Sequence, residues 1–310
     1  MNVLPVGSEH LARARLLAAP GLAAPVVRSL ERIAGRPVER DGGVPQEPYV
    51  YVGATLPEAL RGDGLLWFHS VNAGTDALLD AGPWPPGALL TRTVGRMGER
   101  IAQYVLAWVL ADCQSVPEFA AQHTRAEWRR IPSELAYGQT ALIHGTGRIG
   151  SAVAALLRAC SIRTVGVART PRELPPGFDA LAGPDEPVDA RWVVAALPLT
   201  GTTAGYFGAE RFAAMGGASF INVGRGATVD LAALERALHA GTVGRAVLDV
   251  LADEPAGPGD RCWRLPRTVV TSHSAGITAD EDIVTDFAAC LRDLTAGRVP
   301  ALAVDPARGY

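Results

Sequence analysis

Thr140-Ala141-Leu142-Ile143-His144-Gly145-Thr146-Gly147-Arg148-Ile149-Gly150 decides the fold of this 310-residue chain. Its first five residues form a short apolar run suited to a buried strand, and Ser151–Cys160, beyond the glycines, is an alanine-rich helical pattern. Between the two lies G-x-G-x-x-G. In a strand–turn–helix setting the first glycine permits a tight turn and the second lets backbone approach a pyrophosphate. The third lets the helix pack closely, and the helix N-terminus then faces the phosphate charge. Gly145, Thr146, Gly147, Arg148, Ile149 and Gly150 are therefore expected to bind a dinucleotide; the plainer alternative is a glycine-rich structural turn.

Outward from this unit the pattern repeats. Strand-like runs follow at Arg163–Ala168, Trp192–Leu197, Ser219–Val223, Ala246–Val250 and Thr268–Thr271, with helical patterns at Ala209–Met215 and Asp230–Ala240. Strands alternating with helices specify a parallel sheet covered on both faces, an α/β fold of the Rossmann, doubly wound type. Val94–Asp112 reads as one long helix leading into it. Residues 94–279 are thus expected to form an NAD(P)-binding domain, and 1–93 with 280–310 a smaller substrate domain built from both chain ends. In that smaller domain strands are expected at Tyr49–Val52 and Leu65–His69, and helices at Glu9–Leu17, Ala24–Ile33 and Asp280–Ala296.

Composition narrows the chemistry. All 29 basic residues are arginine, so no side chain can form a Schiff base and no Walker A loop can be completed. Bound anions must be held by guanidinium groups, backbone N–H groups or helix ends. A net charge of −3 advertises neither nucleic acid nor anionic membrane as a partner. Cys113, Cys160, Cys262 and Cys290 lie far apart, without C-x-x-C or clustered histidines, which argues against a zinc site and against a disulfide framework and suits a reducing cytoplasm; no metal is expected. Cys160 and Cys290 fall in apolar helical patterns and read as core residues. The N-terminal apolar stretch is broken by glycine and proline, unlike a signal peptide, and the run Tyr104–Ala111 is too short to span a bilayer.

The strand at Arg163–Ala168 runs into Arg169-Thr170-Pro171-Arg172, with no carboxylate until Glu173. An enzyme that uses NAD carries Asp or Glu near this position for the ribose 2′-hydroxyl. Arg169, Thr170 and Arg172 offer charge-assisted donors for a 2′-phosphate instead, so NADP is the preferred cofactor, with NAD possible. The alternative is that these arginines are solvated loop charges.

The last three strands each deliver one reactive side chain: Arg225 after Ser219–Val223, Glu254 after Ala246–Val250, and His273 after Thr268–Thr271. Ligands of open parallel sheets bind beyond the carboxyl ends of the strands. Reduction of a 2-keto acid needs a cation for the carboxylate, a hydride at C2 and a proton for the developing alkoxide. Arg225 suits the first task, His273 the last, and Glu254 would orient the ring and favour its charged form. Singly, each has a duller explanation: a loop cation, a carboxylate at a helix start, a hydrogen-bonded structural histidine.

Taken together these residues resemble the D-isomer-specific 2-hydroxyacid dehydrogenase family. Ile221-Asn222-Val223-Gly224-Arg225-Gly226 is similar to its arginine signature, Leu248-Asp249-Val250 with Asp253-Glu254-Pro255 to its glutamate segment, and Ser272-His273-Ser274-Ala275-Gly276 to its histidine segment. Leu197-Pro198-Leu199-Thr200 with Thr203 resembles the loop beside the nicotinamide. Within the family, Ala168-Arg169-Thr170 and the ending Val304–Tyr310 resemble the glyoxylate/hydroxypyruvate reductase A group. The resemblance implies a flavodoxin-like smaller domain and cofactor contacts at Leu197, Pro198, Thr203, Val223, Gly224, Asp249, His273 and Ala275. It further implies that Asn72, Ala73 and Gly74 present backbone amides to the substrate carboxylate, although a tight turn after Leu65–His69 reads equally well. It also implies a homodimer joined through Val94–Asp112 and Ser115–Pro132. Gln103 stands where the family usually has glutamate, and the N-terminal third carries no clear substrate-side motif. A corepressor-like, nucleotide-sensing scaffold on the same fold is the alternative to an enzyme, and the Arg225–Glu254–His273 set favours the enzyme.

Overall fold

Parallel strand pairing organises both parts of the chain in the computed structural model, which describes residues 8–40, 43, 45–169 and 173–307. The chain divides into two units, one running to Arg96 and resuming at Thr278, the other spanning Met97–Ile277.

Met97–Ile277 holds a seven-stranded, wholly parallel sheet. Its order is Thr268–Val270, Val243–Leu248, Ala218–Asn222, Trp192–Ala195, Thr140–His144, Arg163–Val167, Ala180–Ala182. The chain begins in the middle, winds to one edge, then returns to wind toward the other. The direction therefore switches between Thr140–His144 and Trp192–Ala195, where open sheets of this class bind ligands. One face is covered by Met97–Cys113 and Arg148–Ala159, whose Ile101, Val105, Val109, Val153 and Leu157 pack with Ile143, Val194 and Ile221. The other face buries Phe207, Phe212, Phe220, Leu234 and Leu238. Helix Leu231–Ala240 starts where the Asp230 carboxylate accepts from the amides of Ala232 (2.9 Å) and Ala233 (3.0 Å), and stops at Gly241 with φ +79°.

The other unit is a six-stranded sheet ordered Ala303–Val304, Leu89–Arg92, Leu65–Ser70, Tyr49–Gly53, Arg15–Ala18, Val38–Glu39, with only Ala303–Val304 antiparallel. Numbered along the chain, the five parallel strands lie in the order 2-1-3-4-5 of flavodoxin-like sheets. Trp67, Val50, Val52 and Leu16 pack with Ile283, Phe287 and Leu294 on one face, while Leu17, Tyr51, Phe68 and Leu90 cluster on the other.

Several local expectations are corrected. Glu9–Leu17 is not one helix: helix Ser8–Arg13 gives way to strand Arg15–Ala18, pairing on both sides with Val38–Glu39 and Tyr49–Gly53. Leucine and alanine favour a helix there, and long-range pairing overrides them. Strands Val38–Glu39, Ala180–Ala182, Leu89–Arg92 and Ala303–Val304 have no counterpart in the sequence reading. The helix expected from Val94 starts at Met97, because the amides of Val94 and Gly95 donate to Asp286 Oδ2 (both 2.7 Å) and that of Arg96 to Asp282 Oδ1 (3.2 Å). Cys290 is buried, but Cys160 is exposed, since it caps its helix rather than lying in the buried stripe. Among the described residues no helix is long and apolar enough to cross a membrane.

Burial also shapes the response to acid. His69 and His144, one in each unit, are pushed down to about 3, chiefly by desolvation. Unfolded histidine titrates near pH ~6.5, so below that the unfolded chain gains protons that the folded chain refuses. Stability from these two groups is complete above ~6.5 and is lost progressively toward about 3, by up to about 1.4 kcal/mol per pH unit per imidazole. Melting temperature is expected to fall across that window, and His144→Leu to flatten the fall. A pH-independent melting temperature between those values would contradict the buried, neutral state.

Candidate active site

Glycine at positions 145, 147 and 150 answers three different demands. Gly145 has φ +106°, and a Cβ there would lie 2.4 Å from the Ala196 carbonyl oxygen, across the point where the sheet changes direction. A Cβ at Gly150 would lie 1.8 Å from the Gly145 carbonyl oxygen, so the helix could not pack against the turn. Gly147 is different: its φ is −80° and a Cβ there would touch nothing in the protein. Of these three glycines, Gly147 is the one whose lack of a side chain nothing in the protein requires. It stands as the exposed, uncapped N-terminus of the twelve-residue helix Arg148–Ala159, whose first turn carries no carboxylate. Open backbone, an uncapped helix end and no local negative charge fit the pyrophosphate of a dinucleotide. Arg148 is exposed, whereas Ile149 packs against the core.

The end of strand Arg163–Val167 places Arg169 at the surface, with Nη1 donating to Thr202 Oγ1 (3.0 Å). Thr170 and Arg172 lie outside the described residues. Across the switch point, the loop after Trp192–Ala195 is tied by Thr203. Its buried hydroxyl donates to the Pro198 carbonyl (2.6 Å) and accepts from the Thr200 amide (2.7 Å), so it holds the loop's shape around Leu197 and Pro198.

After Ala218–Asn222, Asn222 is fully buried and grips the turn that presents Arg225. Its Oδ1 accepts from the Gly224 amide (3.0 Å) and its Nδ2 donates to the Arg225 carbonyl (3.2 Å). The same carbonyl accepts from Thr228 Oγ1 (2.6 Å), and Arg225 Nη1 donates to the Gly224 carbonyl (2.9 Å). A Cβ on Gly224 would meet Leu197 backbone at 2.6 Å, and one on Gly226 would overlap Leu251 at 1.8 Å. The arginine turn is therefore packed between the Leu197 loop and the segment leading to Glu254. Val223 and Ala275 have buried side chains, leaving only their backbone to meet a ligand.

His273 sits on a strained support. Ser272 and His273 adopt φ +57° and +56°, the left-handed region, which costs roughly 1–2 kcal/mol per non-glycine residue. The buried carboxylate of Asp249 offsets this. Its Oδ1 accepts from Thr271 Oγ1 (2.6 Å) and the amides of Ser274 (2.8 Å) and Ala275 (3.1 Å), and its backbone carbonyl accepts from the His273 amide (2.6 Å). Tyr104, from the long helix, bonds Thr271 Oγ1 at 2.6 Å; burial pushes its phenol up to about 12. So held, His273 Nδ1 lies 2.8 Å from Glu254 Oε2, while Glu254 Oε1 accepts from the Leu251 amide at 2.7 Å. With Nδ1 facing a carboxylate, Nε2 is the ring nitrogen left for another partner.

Arg225, Glu254 and His273 thus follow three strands that are successive neighbours in the sheet, and Glu254 and His273 touch. Asn222, Thr202 and Thr271 take part in this scaffold without having been singled out from the sequence. In the other unit, Asn72, Ala73 and Gly74 form the turn after Leu65–Ser70. The Asn72 amide is taken by Ser70 Oγ (3.1 Å), whereas no acceptor among the described residues takes those of Ala73 and Gly74. Among the described residues no cluster of His, Cys, Asp and Glu could hold a metal ion.

Residues 106–275, more than half of the chain, match the family described as D-isomer specific 2-hydroxyacid dehydrogenase, NAD binding domain. An uncharacterized protein of Streptomyces coelicolor is 58% identical over 277 residues, covering 87% of this chain and 99% of its own. Glyoxylate/hydroxypyruvate reductase A of Serratia proteamaculans is 31% identical over 252 residues, 78% of this chain and 80% of that protein. A D-isomer specific 2-hydroxyacid dehydrogenase from Xanthobacter autotrophicus, crystallised with NADPH and MES, superposes with a TM-score of 0.84 at 28% identity, over 96% of this chain and 100% of that one.

Proposed function

This chain belongs to the D-isomer-specific 2-hydroxyacid dehydrogenase family, and from that membership we propose that it reduces a small 2-keto acid to the 2-hydroxy acid with NADPH. Glyoxylate and hydroxypyruvate are the first candidates, being named for the Serratia relative. The observation that carries the reading is the His273–Glu254 pair, 2.8 Å apart beside the Arg225 turn at the carboxyl end of the parallel sheet. Bound NADPH supplies the hydride to C2. Arg225 holds the substrate carboxylate, and the open amides of Ala73 and Gly74 are donors of the same kind. His273 delivers a proton from Nε2 to the oxygen at C2, and Glu254 fixes the ring for that transfer. The His273 side chain is 54% exposed, so solvent can return the proton.

The Gly145–Gly150 turn receives the pyrophosphate and Arg169 the 2′-phosphate, with Thr170 and Arg172 adjoining it in sequence. The loop at Leu197, Pro198 and Thr203, with Val223, Gly224, Asp249 and Ala275, lines or supports the nicotinamide end. A homodimer joined through the cofactor-binding unit is supported by large apolar side chains left exposed at Leu110, Phe119, Trp128 and Leu135.

The test is loss of NADPH absorbance against a panel of 2-keto acids. Turnover with at least one is expected. NADPH binding without any turnover would instead point to a nucleotide-sensing scaffold. In the same assay kcat/KM is expected to favour NADPH over NADH. Arg169→Ala should lower kcat/KM for NADPH about tenfold or more while sparing NADH, as for a lost charge-assisted phosphate contact. Equal or better use of NADH by the unaltered protein would defeat the preference.

A further inference from the structure

A chain of hydrogen bonds runs through the core of the smaller unit and ends on the turn at 70–74. Trp67, His69, Thr91, Thr93 and Ser70 are all fully buried. His69 Nδ1 lies 2.7 Å from Thr91 Oγ1 and Nε2 lies 3.1 Å from Thr93 Oγ1. The direction of each bond follows from the ends. The Thr93 hydroxyl donates to the Ser70 carbonyl (3.0 Å), so toward His69 it can only accept, which puts the imidazole proton on Nε2. Nδ1 then accepts from the Thr91 hydroxyl, whose oxygen accepts from Trp67 Nε1 (2.7 Å). Burial keeps the ring neutral, with its titration pushed down to about 3. Trp67 thus donates to Thr91, Thr91 to His69, His69 to Thr93, and Thr93 to the Ser70 carbonyl, with every donor used once.

That carbonyl opens the turn. It also accepts from the Thr93 amide (2.8 Å), while Ser70 Oγ bridges the amide (3.1 Å) and carbonyl (3.0 Å) of Asn72. At the far side Arg92 Nη1 donates to the Ala73 carbonyl (3.1 Å). The turn is thereby pinned at entry, middle and exit, while the Ala73 and Gly74 amides have no acceptor among the described residues. Buried polar networks are costly unless fully satisfied, and a satisfied one fixes a single backbone arrangement.

We propose that His69 and Thr93 are positioning residues for substrate binding, their hydrogen-bond chain fixing the 70–74 turn so that the Ala73 and Gly74 amides point at the substrate. The inference rests on the reading of that turn as substrate-binding. Thr93→Val removes the donor to Ser70 and the acceptor for His69 at nearly constant volume. Its KM for the best keto acid is expected to rise about five- to tenfold, with kcat within about threefold and KM for NADPH unchanged. Thr93→Ser should restore the wild-type KM. His69→Gln, which keeps a donor toward Thr93, should stay near wild type, whereas His69→Leu should resemble Thr93→Val. These two variants decide the matter if Thr93→Val does not fold. Gly74→Pro, which deletes one of the two amides, separates the two claims. If it raises KM while folded Thr93→Val and His69→Leu leave KM unchanged, the positioning role is overturned alone. If Gly74→Pro also leaves KM unchanged, the substrate role of the turn falls with it.

Discussion

His273→Ala is expected to lower kcat by two to four orders of magnitude (about 10²–10⁴-fold), the range for loss of a general acid, with KM for NADPH little changed. As hydride reaches C2, the carbonyl oxygen becomes an alkoxide, and the variant has no imidazole held beside it to supply the proton. Glu254→Gln sharpens the assignment. Glu254 accepts at both oxygens, from His273 Nδ1–H and from the Leu251 amide. A glutamine has only one acceptor oxygen, so its NH2 group must face one of these two donors. The ring loses either its tautomer or its anchor, and kcat is expected to fall about tenfold to a hundredfold, as for loss of an orienting partner. Turnover lowered to these two degrees, with wild-type NADPH binding in both variants, would support the roles. Near-normal kcat in His273→Ala would refute its part in the reaction.

How much of this is written locally differs between the two units. The Gly145–Gly150 turn is legible because a short contiguous pattern states its geometry, and the parallel sheet because apolar runs and helical runs alternate at short spacing. Strand Arg15–Ala18 is illegible for the opposite reason: four residues of helical preference become a strand only through partners Val38–Glu39 and Tyr49–Gly53. At the site, residue types could be read but not what holds them. Asp249 reads as a cofactor contact, yet its carboxylate ties residues 271–275, more than twenty positions on. Thr203 likewise reads as a contact and spends its hydroxyl on Pro198 and Thr200. Arg169 finds Thr202 thirty-three residues away. Polar groups that act through such distant pairing leave no periodic trace, and the left-handed backbone at Ser272 and His273, in residues with no glycine-like freedom, leaves none either.

Arg225→Lys carries the second large expectation, a fall in kcat/KM of about a hundredfold or more, expressed in both KM for the keto acid and kcat. The substitution tests the guanidinium and not the fold. The turn around residue 225 is fixed through its main chain, with the Arg225 carbonyl accepting from Asn222 Nδ2 and Thr228 Oγ1 and the Gly224 amide donating to Asn222 Oδ1. None of these bonds uses the side chain of residue 225, and the turn contact that does, Nη1 to the Gly224 carbonyl (2.9 Å), is of a kind an ammonium can also donate. Lysine keeps the positive charge but replaces a planar fork with a single ammonium point. It can neutralise a carboxylate but cannot grip both its oxygens while a further N–H reaches the C2 carbonyl. A role confined to charge would leave kcat/KM for the lysine variant nearly intact and lose it only in Arg225→Ala. A role in fixed geometry predicts that the two variants are similarly impaired, and that added guanidine partly restores Arg225→Ala but not Arg225→Lys. Because this chain contains no lysine of its own, the ammonium introduced at 225 is also the sole one on any side chain. An ionisation near the ordinary lysine range that is present in the variant's pH profile and absent from the wild type's is therefore assigned to that position, since the tyrosines and cysteines that also titrate there are common to both proteins.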